Sequence, residues 1–190
     1  MGLSDKHSRD IQRRLYELMV LMKAADDRLS KGIGTGEFMC VYWPSRGQEA
    51  IAAAMGVALR PDDQLVTTYR GLHDLIGKGV PLEEIYGEMM GRTVGASRGK
   101  GGTMHIAKPE KGVMLSTGIV GAGPPVAVGL AMAAKRKGID RWTTWRWDPS
   151  ATFDGDQGNF VLASTISFSA VLCGSPFGAP APCPPSNGAS

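Results

Sequence analysis

TGIVGAGPPVAVGLAMAAKRKG, residues Thr117 to Gly138, is the stretch whose reading decides the fold. Its second half carries the signals of a helix. Pro124 and Pro125 suit a first turn, where no N–H is needed, and Lys135, Arg136 and Lys137 complement the negative end of the dipole ahead of a glycine stop. Its first half poses a choice between a glycine-rich loop for a phosphate or cofactor and a plain turn before a buried helix. GIVGAG is not a dinucleotide loop, because glycines at 118, 121 and 123 do not follow the GxGxxG order and no strong strand signal precedes them. What remains is backbone free of side chains just ahead of a helix amino terminus. Such backbone either hydrogen-bonds a flat heterocycle or lets a neighbour pack closely.

Upstream, apolar residues at Ile11, Leu15, Leu18, Met22, Ala25 and Leu29 recur at steps of three and four, which predicts an amphipathic helix over 10–29, ended by Gly32, Gly34 and Gly36. A second helix is expected from near Gly47 through QEAIAAAMGVAL, with Ile51, Met55 and Leu59 as its stripe. PDDQLVTTYRG gives a turn and a strand over 65–68, with Tyr69 and Arg70 at its carboxyl end. Pro81 opens a further helix, LEEIYGEMM, and from Gly91 to Gly123 periodicity vanishes. Helices alternating with short strands point to an α/β fold, a mainly parallel sheet flanked by helices.

Composition narrows the classes. The 190 residues hold one ordinary core, and 43% hydrophobic with 21% charged residues is a globular balance. The net charge of +3 and the isolated KRK at 135–137 give no call for nucleic acid. No apolar run is long enough for a membrane, and MGLSDKHSRD lacks the apolar core of a secretory signal. Cys40, Cys173 and Cys183 are far apart and form no CxxC pair, so neither a disulfide framework nor zinc is expected, and the cytoplasm is the plain location.

Three groups are candidates for chemistry. An arginine at a strand's carboxyl end in an α/β fold faces the usual ligand crevice, so Arg70, with the Tyr69 hydroxyl beside it, suits a phosphate; a surface turn is the plainer alternative. RGKGGTMH, Arg98 to His105, is either a basic anion nest or a flexible linker. His105 is open to roles as acid, base or ligand.

The order of the pieces is more specific than any one of them. GQEA, TTYRGLHDLIGKG, GRTVGASRGKGGTMHI and STGIVGAGPPVAVGLAMAAKRKG together resemble the alpha subunit of thiamine-diphosphate-dependent 2-oxo acid dehydrogenases, over roughly Ile11 to Asp140. The YRGLHD form looks most like the acetoin dehydrogenase branch, with pyruvate dehydrogenase close behind. The resemblance implies the thiamine-diphosphate-binding fold and an oxidoreductase that cleaves acetoin or a 2-oxo acid such as pyruvate and passes the acyl group to a lipoyl disulfide. It implies that Tyr69 and Arg70 bind the cofactor diphosphate, that Gly118 and Val120 offer backbone to its aminopyrimidine ring, and that Mg2+ neutralises the diphosphate. A beta subunit, which supplies the glutamate that activates the pyrimidine, and a lipoyl acyltransferase core are the implied partners.

After Asp140 the pattern changes. Where the family has a hydrophobic strand and a GDG motif, this chain has WTTWRWDPSATFDGDQGNF. Asp148 falls at the place of the metal-binding aspartate, between Trp147 and Pro149, and no asparagine pair follows. From Gln157 to Ser190 there is no Asp, Glu, Lys or Arg, and proline accumulates. Residues 1–140 are therefore read as the amino-terminal part of the dehydrogenase domain. Residues 141–190 are read as an atypical tail, such as a reading-frame change would produce, disordered from about residue 173. The sheet is expected to be incomplete on its carboxyl-terminal side. The alternative function is a catalytically inactive fragment or assembly module that keeps the subunit interface only.

Overall fold

The structure, a computed structural model, describes residues 5–119, 121–146 and 161–164. Helix α1, Asp5–Gly34, buries Met22, Ala25 and Leu29 along one stripe, with Leu15, Leu18 and Ile33 partly covered beside them. It ends at Gly34, among the glycines expected to stop it, and Phe38 folds back onto Gly32, where any side chain would meet the ring. Gly36, at φ +76, then turns the chain.

Helix α2, Glu49–Ala58, is small-faced: Ala52, Ala53, Met55 and Gly56 are buried. It crosses α3, Leu72–Gly77, at a close approach where a Cβ on Gly56 would lie 2.7 Å from the Gly77 carbonyl oxygen. Helix α3 is one the sequence pattern did not separate from the strand before it. Its six residues are too few for a period to show. Helix α4, Leu82–Met89, follows Pro81 as expected.

Strand β1, Gln64–Thr68, is central. It pairs in parallel with β2, Val113–Thr117, and with β3, Thr143–Arg146. A fourth strand, β4, Val161–Ser164, runs antiparallel along β3, giving the order β2-β1-β3-β4. Successive side chains of β1 enter different layers. Leu65 joins the core built by α1, α2, α3 and α4, whereas Val66 meets Trp145 and Ala127 of α5, Gly123–Arg136. The α/β fold with a parallel sheet between helices is borne out.

Two expectations need correction. The stretch from Gly91 to Gly123 is not wholly irregular, because β2 lies inside it. Only Val113 and Leu115 are strongly apolar there, so the alternation was too short to read. The departure from the family's hydrophobic strand after Asp140 also does not abolish a strand there. β3 forms with all four residues buried, and its charge is met from the facing layer. Arg146 Nη1 is ion-paired with Asp74 and Nη2 donates to Gln48 Oε1. On the other face, Trp145 lies against Gly123, where no larger residue leaves it room. β3 and β4, which follow residue 140, are hydrogen-bonded into the one sheet. The expectations for Val120, for Asp148 and for disorder from about residue 173 fall outside the described residues.

Candidate functional site

The site is assembled where β1 and β2 end side by side. The Tyr69 N–H donates to Thr117 O at 3.0 Å, so the backbone that carries Tyr69 and Arg70 is joined to the backbone that enters the GIVG loop. Sequence alone placed no strong strand before Gly118; β2 is that strand.

Tyr69 and Arg70 are half-buried and held by the segment ahead of α2. Trp43 meets the Tyr69 ring edge-on, with centroids 5.3 Å apart. Ser45, fully buried, donates its hydroxyl to Arg70 O at 2.7 Å, and Arg70 Nη1 donates to Pro44 O at 3.1 Å. The Arg70 guanidinium sits 5.5 Å from the centroid of the Tyr69 ring. The pair is thus a braced arginine and tyrosine at a strand's carboxyl end, and a planar guanidinium there suits phosphate oxygens.

On the β2 side, Gly118 stands against the end of the basic glycine-rich loop. A Cβ at Gly118 would lie 3.4 Å from Met104 Sδ and 3.9 Å from His105 Cε1. The Ser116 hydroxyl lies 2.8 Å from Met104 O and 3.0 Å from Thr68 O, so its one proton ties β2 either to the loop or to β1. Exposed His105 has Nδ1 3.3 Å from Ser116 O. Ile119, 70% exposed, forms the apex, and a turn from Ala122 N to Ile119 O leads into α5.

The amino terminus of α5 points into this corner, but Pro124 and Pro125 remove two of its first N–H groups. An anion finds few donors there. Positive charge stands on the β1 side, at Arg70, and the β2 side offers backbone without a Cβ at Gly118.

The nest reading of RGKGGTMH also changes. Its amides do turn to a common point, but Glu88 of α4 already occupies it. Oε2 accepts from Ser97 N at 2.7 Å and Gly99 N at 2.8 Å, and Oε1 from Gly101 N at 2.5 Å. Sequence reasoning missed Glu88, Trp43 and Ser45. A glutamate in a helix is ordinarily solvent-facing, and nothing in LEEIYGEMM marks this one as fully buried.

Among the described residues no group of three or more His, Cys, Asp or Glu is arranged to hold a metal ion, and no helix is long and apolar enough to cross a membrane. The fold is therefore an α/β chain that places Tyr69, Arg70 and Gly118 together at the carboxyl ends of parallel strands, where ligands of such folds ordinarily bind.

Residues 16–172 match the family described as Dehydrogenase E1 component, and the chain belongs to that family. It is 38% identical over 160 residues to the pyruvate dehydrogenase E1 component subunit alpha of Solanum tuberosum, a mitochondrial protein, covering 80% of this chain and 40% of that one. It is 34% identical over 157 residues to the alpha subunit of acetoin:2,6-dichlorophenolindophenol oxidoreductase of Cupriavidus necator, covering 80% and 45%. Against subunit alpha-1 of the Arabidopsis thaliana pyruvate dehydrogenase E1 component it is 40% identical over 122 residues, covering 64% and 31%. The chain thus spans less than half the length of these relatives. The match reaches past residue 140, and so takes in β3 and β4.

Proposed function

We propose that this chain serves as the alpha subunit, or the amino-terminal part of one, of a thiamine-diphosphate-dependent dehydrogenase that cleaves acetoin or a 2-oxo acid such as pyruvate and passes the acyl group to a lipoyl carrier. The observation that carries this reading is the junction of Tyr69–Arg70 with the Gly118 backbone through the 3.0 Å bond from Tyr69 N to Thr117 O. The described residues fit the cofactor: one strand end presents a guanidinium and a phenol, and the next presents backbone unobstructed by a Cβ at Gly118. Tyr69 and Arg70 would hold the diphosphate, and Gly118 and Val120 the aminopyrimidine. Asp148 is the proposed Mg2+ ligand. When bound, thiamine diphosphate supplies a nucleophilic thiazolium carbon that also serves as an electron sink. This chain's part is to orient that group and neutralise its phosphates; the beta subunit is the proposed source of the activating glutamate.

A second reading is an assembly module that keeps the subunit interface without catalysis. It is favoured by the apolar residues left exposed on α5, where Val126, Val128 and Met132 are 37%, 46% and 66% accessible. A thermal-shift titration with thiamine diphosphate and Mg2+, with and without a beta subunit, separates the two. Stabilisation by the cofactor supports the first; stabilisation by the beta subunit alone supports the second.

A further inference from the structure

We infer that Glu88 is a positioning residue of this site, holding the basic glycine-rich loop in the conformation that lays Met104 and His105 against Gly118. Its function rests on the cofactor reading above; its geometry does not. Glu88 is fully buried on α4, and three loop amides converge on its carboxylate at 2.5–2.8 Å. A carboxylate taken out of water needs such donors, and charge-assisted bonds of this length are the strong kind.

The loop would not choose this shape unaided. Arg98 has φ +58, the one positive value at a non-glycine position among the described residues, and Gly99 and Gly102 are also positive at +76 and +62. An L side chain resists that region, so something must hold Arg98 there. The three bonded amides, at Ser97, Gly99 and Gly101, straddle Arg98. Absence of side chains lets the backbone close on the carboxylate: a Cβ on Gly95 would lie 2.5 Å from Glu88 Oε2, and one on Gly101 3.2 Å from Oε1. Arg98 and Lys100 are thereby turned to solvent. Three residues beyond Gly101, Met104 O is within 2.8 Å of the Ser116 hydroxyl, and Met104 Sδ faces Gly118. The line from Glu88 to the ring-binding backbone is continuous.

Limited trypsin digestion of the 190-residue chain tests this, since Arg98 and Lys100 are exposed cleavage points inside the loop. Glu88→Gln keeps the shape but gives the three amides one oxygen and sets an NH2 against a donor. Cleavage after Arg98 and Lys100 should accelerate about tenfold, the effect of losing one charged hydrogen bond, while cleavage after Lys137 stays constant as the folding control. Thiamine diphosphate affinity should fall by about tenfold in the same variant. Loop cleavage at the wild-type rate would overturn the positioning role. Rapid cleavage with unchanged cofactor affinity would overturn the link to Gly118. A wild-type chain that ignores thiamine diphosphate even with a beta subunit present would overturn the cofactor reading and that link together, while the cleavage rates would still decide whether Glu88 holds the loop. Should Glu88→Gln fail to fold, amide exchange in the wild type decides instead: Ser97, Gly99 and Gly101 should exchange about tenfold more slowly than Gly102, and equal rates would overturn the proposal.

Discussion

Arg146 of β3 and Asp74 of α3 form an ion pair inside the protein, their side chains 4% and 1% accessible. Asp74 Oδ2 also accepts from Thr67 Oγ1 at 2.5 Å, so strand β1, strand β3 and helix α3 share one buried polar knot. Removing one partner of such a pair strands the other without water. Arg146→Met should therefore cost about 3–5 kcal/mol, whereas Arg146→Met with Asp74→Leu should recover most of it. Urea unfolding of the two variants checks this. A double variant no more stable than the single one would show that the pair contributes more than it costs to bury.

If Arg70 holds the diphosphate as proposed, Arg70→Ala in the chain assembled with a beta subunit should weaken thiamine diphosphate binding by roughly 2 kcal/mol, the scale of a hydrogen bond to a charged group. The fold should survive, because Ser45 bonds the Arg70 carbonyl and not its side chain. Calorimetric titration reads the affinity, and equal affinity would remove Arg70 from the diphosphate site.

His73 is fully buried on α3, with Asp26 Oδ2 3.7 Å from Nε2. Burial lowers its pKa from the ordinary histidine value; Asp26, Glu49 and Asp74 act in the opposite sense without overcoming it, and Arg146 adds to the lowering. The folded state thus binds its proton less readily than the unfolded chain. Stability should be complete above about pH 6.5 and fall as pH drops from there toward the folded value, where the unfolded state alone takes the proton. Thermal unfolding of His73→Leu between pH 7 and 5 should show that step removed; a step of the same size would assign it elsewhere.

At the other end of the sheet, burial works to raise the Asp63 pKa. The Trp142 N–H at 2.8 Å and the bonds from Arg60 outweigh it, and the carboxyl is held below the usual range. As with His73, the folded state binds this proton less readily than the unfolded chain, so stability again falls as pH falls. This stabilisation is present above about pH 3.9 and is lost as pH falls through the folded value. Asp63→Asn should lower the melting temperature at pH 7 and flatten its decline in acid. An unchanged acid profile would clear Asp63.

Gly123→Ala places a methyl group against the Trp145 indole. An overpacked core of this kind costs about 1–3 kcal/mol. Near-ultraviolet circular dichroism and urea unfolding should show a displaced tryptophan and reduced stability together. A variant as stable as the parent would mean that α5 slides on β3 at little cost.

The legible parts of this protein were those written in local pattern. The stripe of α1, the existence of α2, the strand before Tyr69 and the proline-led starts near α4 and α5 all follow from period, caps and turn residues within a few positions of one another. The expected α2 stripe of Ile51, Met55 and Leu59 is buried only at Met55, because the helix packs through Ala52, Ala53 and Gly56. The family could be named because motifs of ordinary local chemistry occur in one order along the chain. β2 and α3 escaped because five or six residues are too few to establish a period. β3 was misjudged for a different reason: an arginine reads as a break in a buried strand until its partner is known, and Asp74 lies 72 positions away.

The sequence by itself determined the layered α/β plan, the helix-leading loop at Gly118 and the family, since each depends on neighbours along the chain. Only the tertiary structure decided which polar groups are inside. Glu88, Asp74 and Arg146 carry the same side chains as any surface residue, and whether burial is possible depends on donors and acceptors brought from distant segments. The loop from Arg98 to His105 shows the difference most plainly. Its glycines announce that the backbone can fold around an anion, but that the anion is the protein's own Glu88 follows only from the packing of α4 beneath it.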